Sequence, residues 1–217
     1  MKVSIIAFDD FTDIDVFFMW DLLNRVKRPD WKVQILGDQC CHVSVTGMRT
    51  HMHGRLDEAN SSDAVLFASG PGVRRKINDD VFLDAFNLDP ERQLIGSMCS
   101  GALILASLGL LEGKRATTYP TSKKLLESMG VRVVEEPFVR EGNVATAAGC
   151  LAAQYLAGWV LEELLGAKVK EAALRLIQPV GEGLPLDEKE YEKALIVLAG
   201  ASNRTDEAVT KASAASL

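Results

Sequence analysis

Four short runs set the limits on what this chain can fold into: KVSIIAF (residues 2–8), WKVQILG (31–37), AVLF (64–67) and QLIGSM (93–98). Each is rich in β-branched and apolar residues, and apart from WKVQI none alternates cleanly between apolar and polar. A strand that is apolar on both faces must be covered on both faces, which is the situation of a parallel sheet packed between two layers of helices. The stretches between these runs fit that demand. In residues 12–26, Ile14, Phe17, Phe18, Leu22 and Val26 recur close to helical spacing, with Thr12 or Asp13 placed to cap the segment. Helices are also expected over 79–88, over SGALILASLGLL (100–111), over 120–130 with Pro at its start and Gly at its end, and over CLAAQYLAGWVLEELLG (150–166). The order predicts an α/β three-layer sandwich with a mostly parallel central sheet.

Two features interrupt the alternation. CHVSVTG and MRTHMHG are short alternating segments, each followed by Gly, and predict an antiparallel hairpin at the sheet edge. VRVVEEPFVREGNVATAAG predicts two strands joined by a turn at Glu141-Gly142-Asn143, and GKRAT leads into a further short strand. No linker, repeat or low-complexity block divides the 217 residues, so one domain is expected over 1–217, with peripheral helices over about 187–217 and a fraying tail, TKASAASL.

Charge narrows the partners. The formal net charge is −6 and the basic clusters, such as Arg74-Arg75-Lys76, are short. A nucleic-acid binder is expected to carry a basic face, so no nucleic-acid partner is predicted. No run reaches the roughly 18 apolar residues of a membrane helix, and MKVSIIAF is broken by Asp9 and Asp10, unlike a secretory signal. A cytoplasmic protein without a membrane partner is the expectation. The four cysteines, Cys40, Cys41, Cys99 and Cys150, form no C-x-x-C pair. His51 and His53 share one side of a short strand near Cys41-His42, yet no carboxylate follows at metal-ligand spacing. Neither a metal nor a cofactor is predicted.

In parallel α/β sheets, ligands bind beyond the carboxyl ends of the strands. Three loops fall there. SMCSG (97–101) has the pattern small-x-nucleophile-x-small between a strand and a helix, the logic of a nucleophile elbow. Cys99 is then either a thiol held out on a strained turn, beside helix amides that favour a thiolate and an oxyanion, or a buried cysteine that fills space. ASGPG (68–72) allows close backbone approach, as a ligand loop or an ordinary strand-to-helix turn. The first loop carries Asp9, Asp10, Asp13 and Asp15. Asp15 sits between Ile14 and Val16; buried, its carboxyl would hold a proton and could donate to a thiolate, and otherwise it favours the helix N-terminus. Cys150 opens the helix after a strand, as a pocket residue or as packing.

These three loops in this order, with MCSGALILASLGLLEGKRATTYP, resemble the PfpI superfamily, the class-I glutamine-amidotransferase-like fold. The resemblance runs over residues 2–166. Within it, DIDVFFMWDLL and GKRATTY are most similar to the bacterial isocyanide hydratases. The resemblance implies a flavodoxin-like sandwich with Cys99 as nucleophile and Asp15 as its acidic partner. It also implies that Gly70 and Ser100 supply backbone N–H groups to the oxyanion, and that the Ser100 hydroxyl orients thiol or substrate. Two departures stand out. Tyr119 occupies a position where protease-like and amidase-like members often carry His. Ser69 replaces the first of two glycines, where a Gly-only backbone conformation would strain it.

The resemblance therefore implies a cofactor-free lyase that hydrates an isocyanide to an N-substituted formamide through a Cys99 thioimidate. The alternatives are a redox or ligand sensor of the same fold, and a glyoxalase, deglycase or amidase acting on small molecules. A small-molecule substrate and a homodimer are implied. Phe17, Phe18, Met19 and Trp20 give the first helix more large apolar residues than one buried face uses, which fits a dimer contact or a wide core contact.

Overall fold

The computed structural model of the chain describes residues 1–200. In chain order it contains β1 (Lys2–Ile6), α1 (Asp13–Asn24), β2 (Lys32–Gly37), β3 (Cys41–Val43), β4 (Arg49–His51) and β5 (Gly54–Arg55). Then come β6 (Ala64–Phe67), α2 (Val73–Lys76), α3 (Asp80–Asp84), β7 (Leu94–Met98), α4 (Ala102–Ser107) and β8 (Arg115–Ala116). They are followed by α5 (Lys123–Ser128), β9 (Arg132–Val133), β10 (Phe138–Glu141), β11 (Val144–Ala147), α6 (Ala153–Leu165), α7 (Ala167–Arg175) and α8 (Glu188–Leu198).

Seven strands form the central sheet in the order β10-β11-β7-β6-β1-β2-β5. All neighbours are parallel except β10 and β11, joined antiparallel through the turn at Gly142. The apolar runs occupy the middle: β6 and β7 are buried at every position, as is β1 after Lys2. From β1 the chain steps through α1 to β2 in one direction. From β6 it steps to β7 and β11 in the other. Right-handed crossovers running in opposite directions put their helices on opposite faces, which yields the three layers. In agreement, α1 packs on α6, and α6 on α7, while α4 packs on α2 and α5. The direction of winding reverses between β1 and β6, so the crevice beyond their carboxyl ends is the expected ligand position.

Several elements differ from the sequence expectation. The hairpin β3–β4 is antiparallel, with Cys41 opposite His51, but it forms its own two-stranded sheet and leaves the edge to β5. It is tethered instead to the start of α1: Asp10 N–H donates to Val43 O (2.8 Å) and Val45 N–H to Phe11 O (2.9 Å). β8 and β9 pair only with each other. The helix expected over 79–88 is a short α3, capped by Asp79 accepting from Phe82 N–H (3.0 Å), and α2 had no sequence signal. Thr12 is the N-cap residue of α1 by position, but its hydroxyl does not cap the helix. Phe17, Phe18 and Trp20 are half-buried against the core, with Phe17 edge-on to Phe11 and Trp20 stacked on His53. A wide core contact therefore already engages these residues within one chain. α8 packs on α7, and Lys27 N–H donates to Leu198 O (3.0 Å). The tail TKASAASL lies outside the described residues. No helix among the described residues is long and apolar enough to cross a membrane.

Candidate active site

The elbow forms where β7 ends. Met98 is still extended, and Cys99 turns the chain with φ +46°, one of two non-glycine residues with positive φ among the described residues. A side chain in that region strains the backbone, by about 1–3 kcal/mol, and such strain persists only where the surroundings hold it. Here they do. Gly101 lies so close to β6 that a Cβ there would sit 2.7 Å from Ala68 O. From the other side, the Thr118 hydroxyl donates to Cys99 O (2.9 Å), and Thr117 N–H donates to the Thr146 hydroxyl (2.8 Å). The segment after the elbow thus clamps the turn. Cys99 itself is 3% exposed.

The helix behind the thiol is shorter than the sequence suggested. Residues 99–101 make a 3-10 turn and α4 covers six residues, so there is little helix dipole to favour a thiolate. Burial dominates and pushes the Cys99 thiol up, and the Asp15 carboxylate pushes it further; the Gly149 N–H works in the opposite direction.

Asp15 enters from the first turn of α1 and is fully buried. Burial raises its carboxyl above the usual carboxylate range, partly offset by contacts with Ser69, Cys150 and Cys99. Burial disfavours both anions and the Asp15 carboxylate disfavours the thiolate beside it, so the pair holds one proton between them: a thiol beside a carboxylate, or a thiolate accepting from a carboxylic acid. The second form is the competent nucleophile with its acid in place.

Ser69 positions that acid. Its hydroxyl donates to Asp15 Oδ2 and lies 3.2 Å from Thr12 Oγ1, while Thr12 N–H donates to Ser69 O (2.8 Å). Ser69 has no positive φ, so the strain expected from replacing a glycine is absent. The special conformation falls on Gly70 instead, at φ +135°, where a Cβ would lie 2.1 Å from Asp10 O. The Gly70 N–H donates to Ser100 Oγ (3.2 Å). An oxyanion would have to take this donor over from the Ser100 hydroxyl.

The three loops and the turn after β11 enclose a cavity of about 490 Å³ lined by Ser69, Gly70, Cys99, Ser100, Tyr119 and Cys150, among others. All four expected site residues converge: Cys99, Gly70 and Ser100 line the cavity, and Asp15 lies behind the thiol. Tyr119 also lines a larger neighbouring cavity of about 630 Å³ that reaches Gly149. No histidine lines either cavity. His42 is buried between Asp9 (3.2 Å) and Asp38 (3.0 Å), and Asp38 also pairs with Lys76 (2.8 Å). His53 Nδ1 accepts from Ile35 N–H (3.1 Å).

Sequence reasoning missed three contributors, Ser69, Thr118 and Gly149, and left Cys150 open between the pocket and packing. The last two follow β11, whose Ala147 is in register with Met98 of β7. That register brings Cys150 beside Cys99; burial and then the Asp15 carboxylate push its thiol up to about 11.

Comparison with known proteins agrees with this geometry. The model of the DJ-1/PfpI family matches residues 1–163. The isonitrile hydratase of Pseudomonas putida is 28% identical over 168 residues, covering 76% of this chain and 73% of that protein. A deglycase of Pyrococcus abyssi is also 28% identical, over 153 residues, covering 66% of this chain and 87% of the deglycase. Among solved structures, a ThiJ/PfpI family protein from Pseudomonas syringae superposes with a TM-score of 0.74 at 21% identity, over 92% of this chain and 90% of that one. Schizosaccharomyces pombe DJ-1 superposes with a TM-score of 0.71 at 18% identity, over 83% of this chain and all of that one. With the elbow, the sheet order and the matched residues in agreement, the chain belongs to the DJ-1/PfpI family.

Proposed function

We propose that this chain is a single-domain, cofactor-free isocyanide hydratase. The observation that carries the reading is the buried pair of Cys99 and Asp15 in a cavity without histidine. A cysteine hydrolase acting on amides needs a strong acid–base partner for the leaving amine, usually histidine. An isocyanide has no leaving group, and its terminal carbon needs only a nucleophile and one proton.

The reaction follows from the groups present. The Cys99 thiolate attacks the terminal carbon while protonated Asp15 delivers a proton to it, giving the thioimidate. The Asp15 carboxylate then takes a proton from water as the hydroxyl adds to that carbon, and the nitrogen receives the water's second proton through solvent. The adduct is then an alkoxide with a protonated nitrogen, and Asp15 keeps the proton it took from water. The tetrahedral adduct expels the Cys99 thiolate as the N-substituted formamide, and Asp15 ends protonated. The net change is addition of one water. In this reading the Gly70 and Ser100 amides hold the charge that develops on oxygen in the second step, the Gly70 N–H after its release from Ser100 Oγ.

The test is substrate consumption by the purified protein. An alkyl isocyanide is expected to turn over to its formamide faster than methylglyoxal is consumed. Methylglyoxal loss without formamide formation assigns the site to aldehyde chemistry instead. A homodimer is proposed as the assembly. The start of α1 and the hairpin tied to it expose Ile14, Val45 and Met48, and Ser44 and Thr46 hydroxyls donate to Asp13 to join them. Sedimentation as a monomer at micromolar concentration would overturn it.

A further inference from the structure

The ends of β7 and β11 and the first turn of α1 bring three metal-ligating groups together. One carboxylate oxygen of Asp15 and the Sγ atoms of Cys99 and Cys150 all lie within 4.8 Å of one another. We propose that these three side chains form a binding site for a thiophilic divalent cation, of the zinc or cadmium type, and that an occupied site silences Cys99.

Geometry supports the site. Zinc binds thiolate sulfur at about 2.3 Å in a tetrahedron, which sets two coordinating sulfurs about 3.8 Å apart. Closing each pair from at most 4.8 Å asks for up to about 1 Å between the sulfurs and slightly more between each sulfur and the carboxylate oxygen. Cys99 and Cys150 line the cavity beside Ser100 and Tyr119, so a water or small anion can take the fourth position.

Hydrogen bonding supports it independently. Asp15 is fully buried, and its Oδ1 has no hydrogen-bond partner, a costly arrangement for a carboxylate. A proton relieves that cost in one state of the site, and a cation relieves it in another. Oδ2 accepts from the Ser69 hydroxyl, the kind of outer contact that fixes a coordinating carboxylate.

The donor set selects the ion. Two sulfurs and one oxygen suit zinc or cadmium; magnesium and calcium require several oxygens. Cys150 is half-buried in the cavity wall, so the ion has a path in. The lone pair that binds the cation is the one Cys99 uses as a nucleophile, so binding and reaction exclude one another. This holds for any reaction at Cys99 and does not depend on the isocyanide reading. Positions 15, 99 and 150 have no metal-site spacing, because two strand ends and the first turn of α1 supply them.

The experiment uses the reduced full chain carrying Cys40→Ser and Cys41→Ser, which removes the hairpin thiols as competing ligands. Cadmium is titrated in while the ultraviolet thiolate-to-metal band and the alkylation of Cys99 by iodoacetamide are followed. The expected result is saturation at one equivalent, protection of Cys99, and no competition from magnesium. Cys150→Ala is expected to weaken binding at least about tenfold, since one of three ligands is gone. X-ray absorption of the zinc-loaded protein with Cys150 intact is expected to count two sulfurs, and reads the site even if the variant fails to fold. Absence of a one-equivalent band, a band unchanged by Cys150→Ala in a folded variant, or a zinc shell without two sulfurs overturns the site.

Discussion

Replacing Asp15 by Asn separates the two roles this carboxyl is given. Asn has nearly the same volume, and its Oδ1 can still accept from the Ser69 hydroxyl, so the buried position stays filled. What is lost is the ability to carry a charge or hand over a proton. The Asp15 carboxylate is the second cause, after burial, of the raised Cys99 thiol, so Asp15→Asn is expected to lower the thiol pKa. A more acidic thiol gives more thiolate at neutral pH. If Cys99 needed only to be ionised, turnover would rise. If Asp15 is the acid, turnover falls by about 10²–10⁴-fold, the usual worth of a positioned proton donor. That corresponds to about 3–5 kcal/mol of transition-state stabilisation. The assay pairs two pH profiles, the alkylation rate of the Cys99 peptide by mass spectrometry and kcat for formamide formation. A lower thiol pKa together with a loss of kcat supports the account. A kcat reduced less than tenfold, or a thiol pKa that stays or rises, refutes it.

Other expectations follow from the same contacts. Ser69→Ala removes a hydrogen bond that lowers the Asp15 pKa, so the alkaline limb of kcat, where the acid loses its proton, should move to higher pH while kcat falls about tenfold; an unmoved limb contradicts this. Gly70→Ala places a Cβ 2.1 Å from Asp10 O at φ +135°, and calorimetry should show a melting temperature lower by roughly 5–10 °C, for about 2–3 kcal/mol of strain. Burial works to lower the His42 pKa, but Asp38 and Asp9 outweigh it and the net shift is upward. Stability from that shift is therefore complete below the unfolded value near 6.5 and is lost as pH rises through the folded value. His42→Gln should cost about 2 kcal/mol at pH 6 by urea unfolding, discounted because both carboxylates are partly exposed, and distinctly less at pH 9; an equal cost at both refutes the ion-pair assignment.

The sheet was legible because its strands are short and apolar on both faces, as in SIIAF and VLFA, and that pattern admits few architectures. Cys99, Asp15, Gly70 and Ser100 could be found because each sits in a loop that immediately follows such a strand. Cys150 also follows a strand, but its place beside Cys99 depends on the pairing of β11 with β7, a register that spacing does not reveal. Ser69 looked like a defect in a glycine loop and is a hydrogen-bond donor to the acid, because the positive φ belongs to Gly70 alone. The hairpin was found but misplaced. Its polar alternation shows one solvated face, and nothing local shows that it stays out of the central sheet and docks on the start of α1.

The most direct measurement is formamide formation from an alkyl isocyanide by the wild-type chain beside Cys99→Ala, followed by NMR in the presence of a chelator. The account predicts steady formamide release by the wild type and none above the uncatalysed rate by the variant, with both proteins equally folded. Formamide from the folded Cys99→Ala variant at the wild-type rate, or no formamide from either protein, contradicts it.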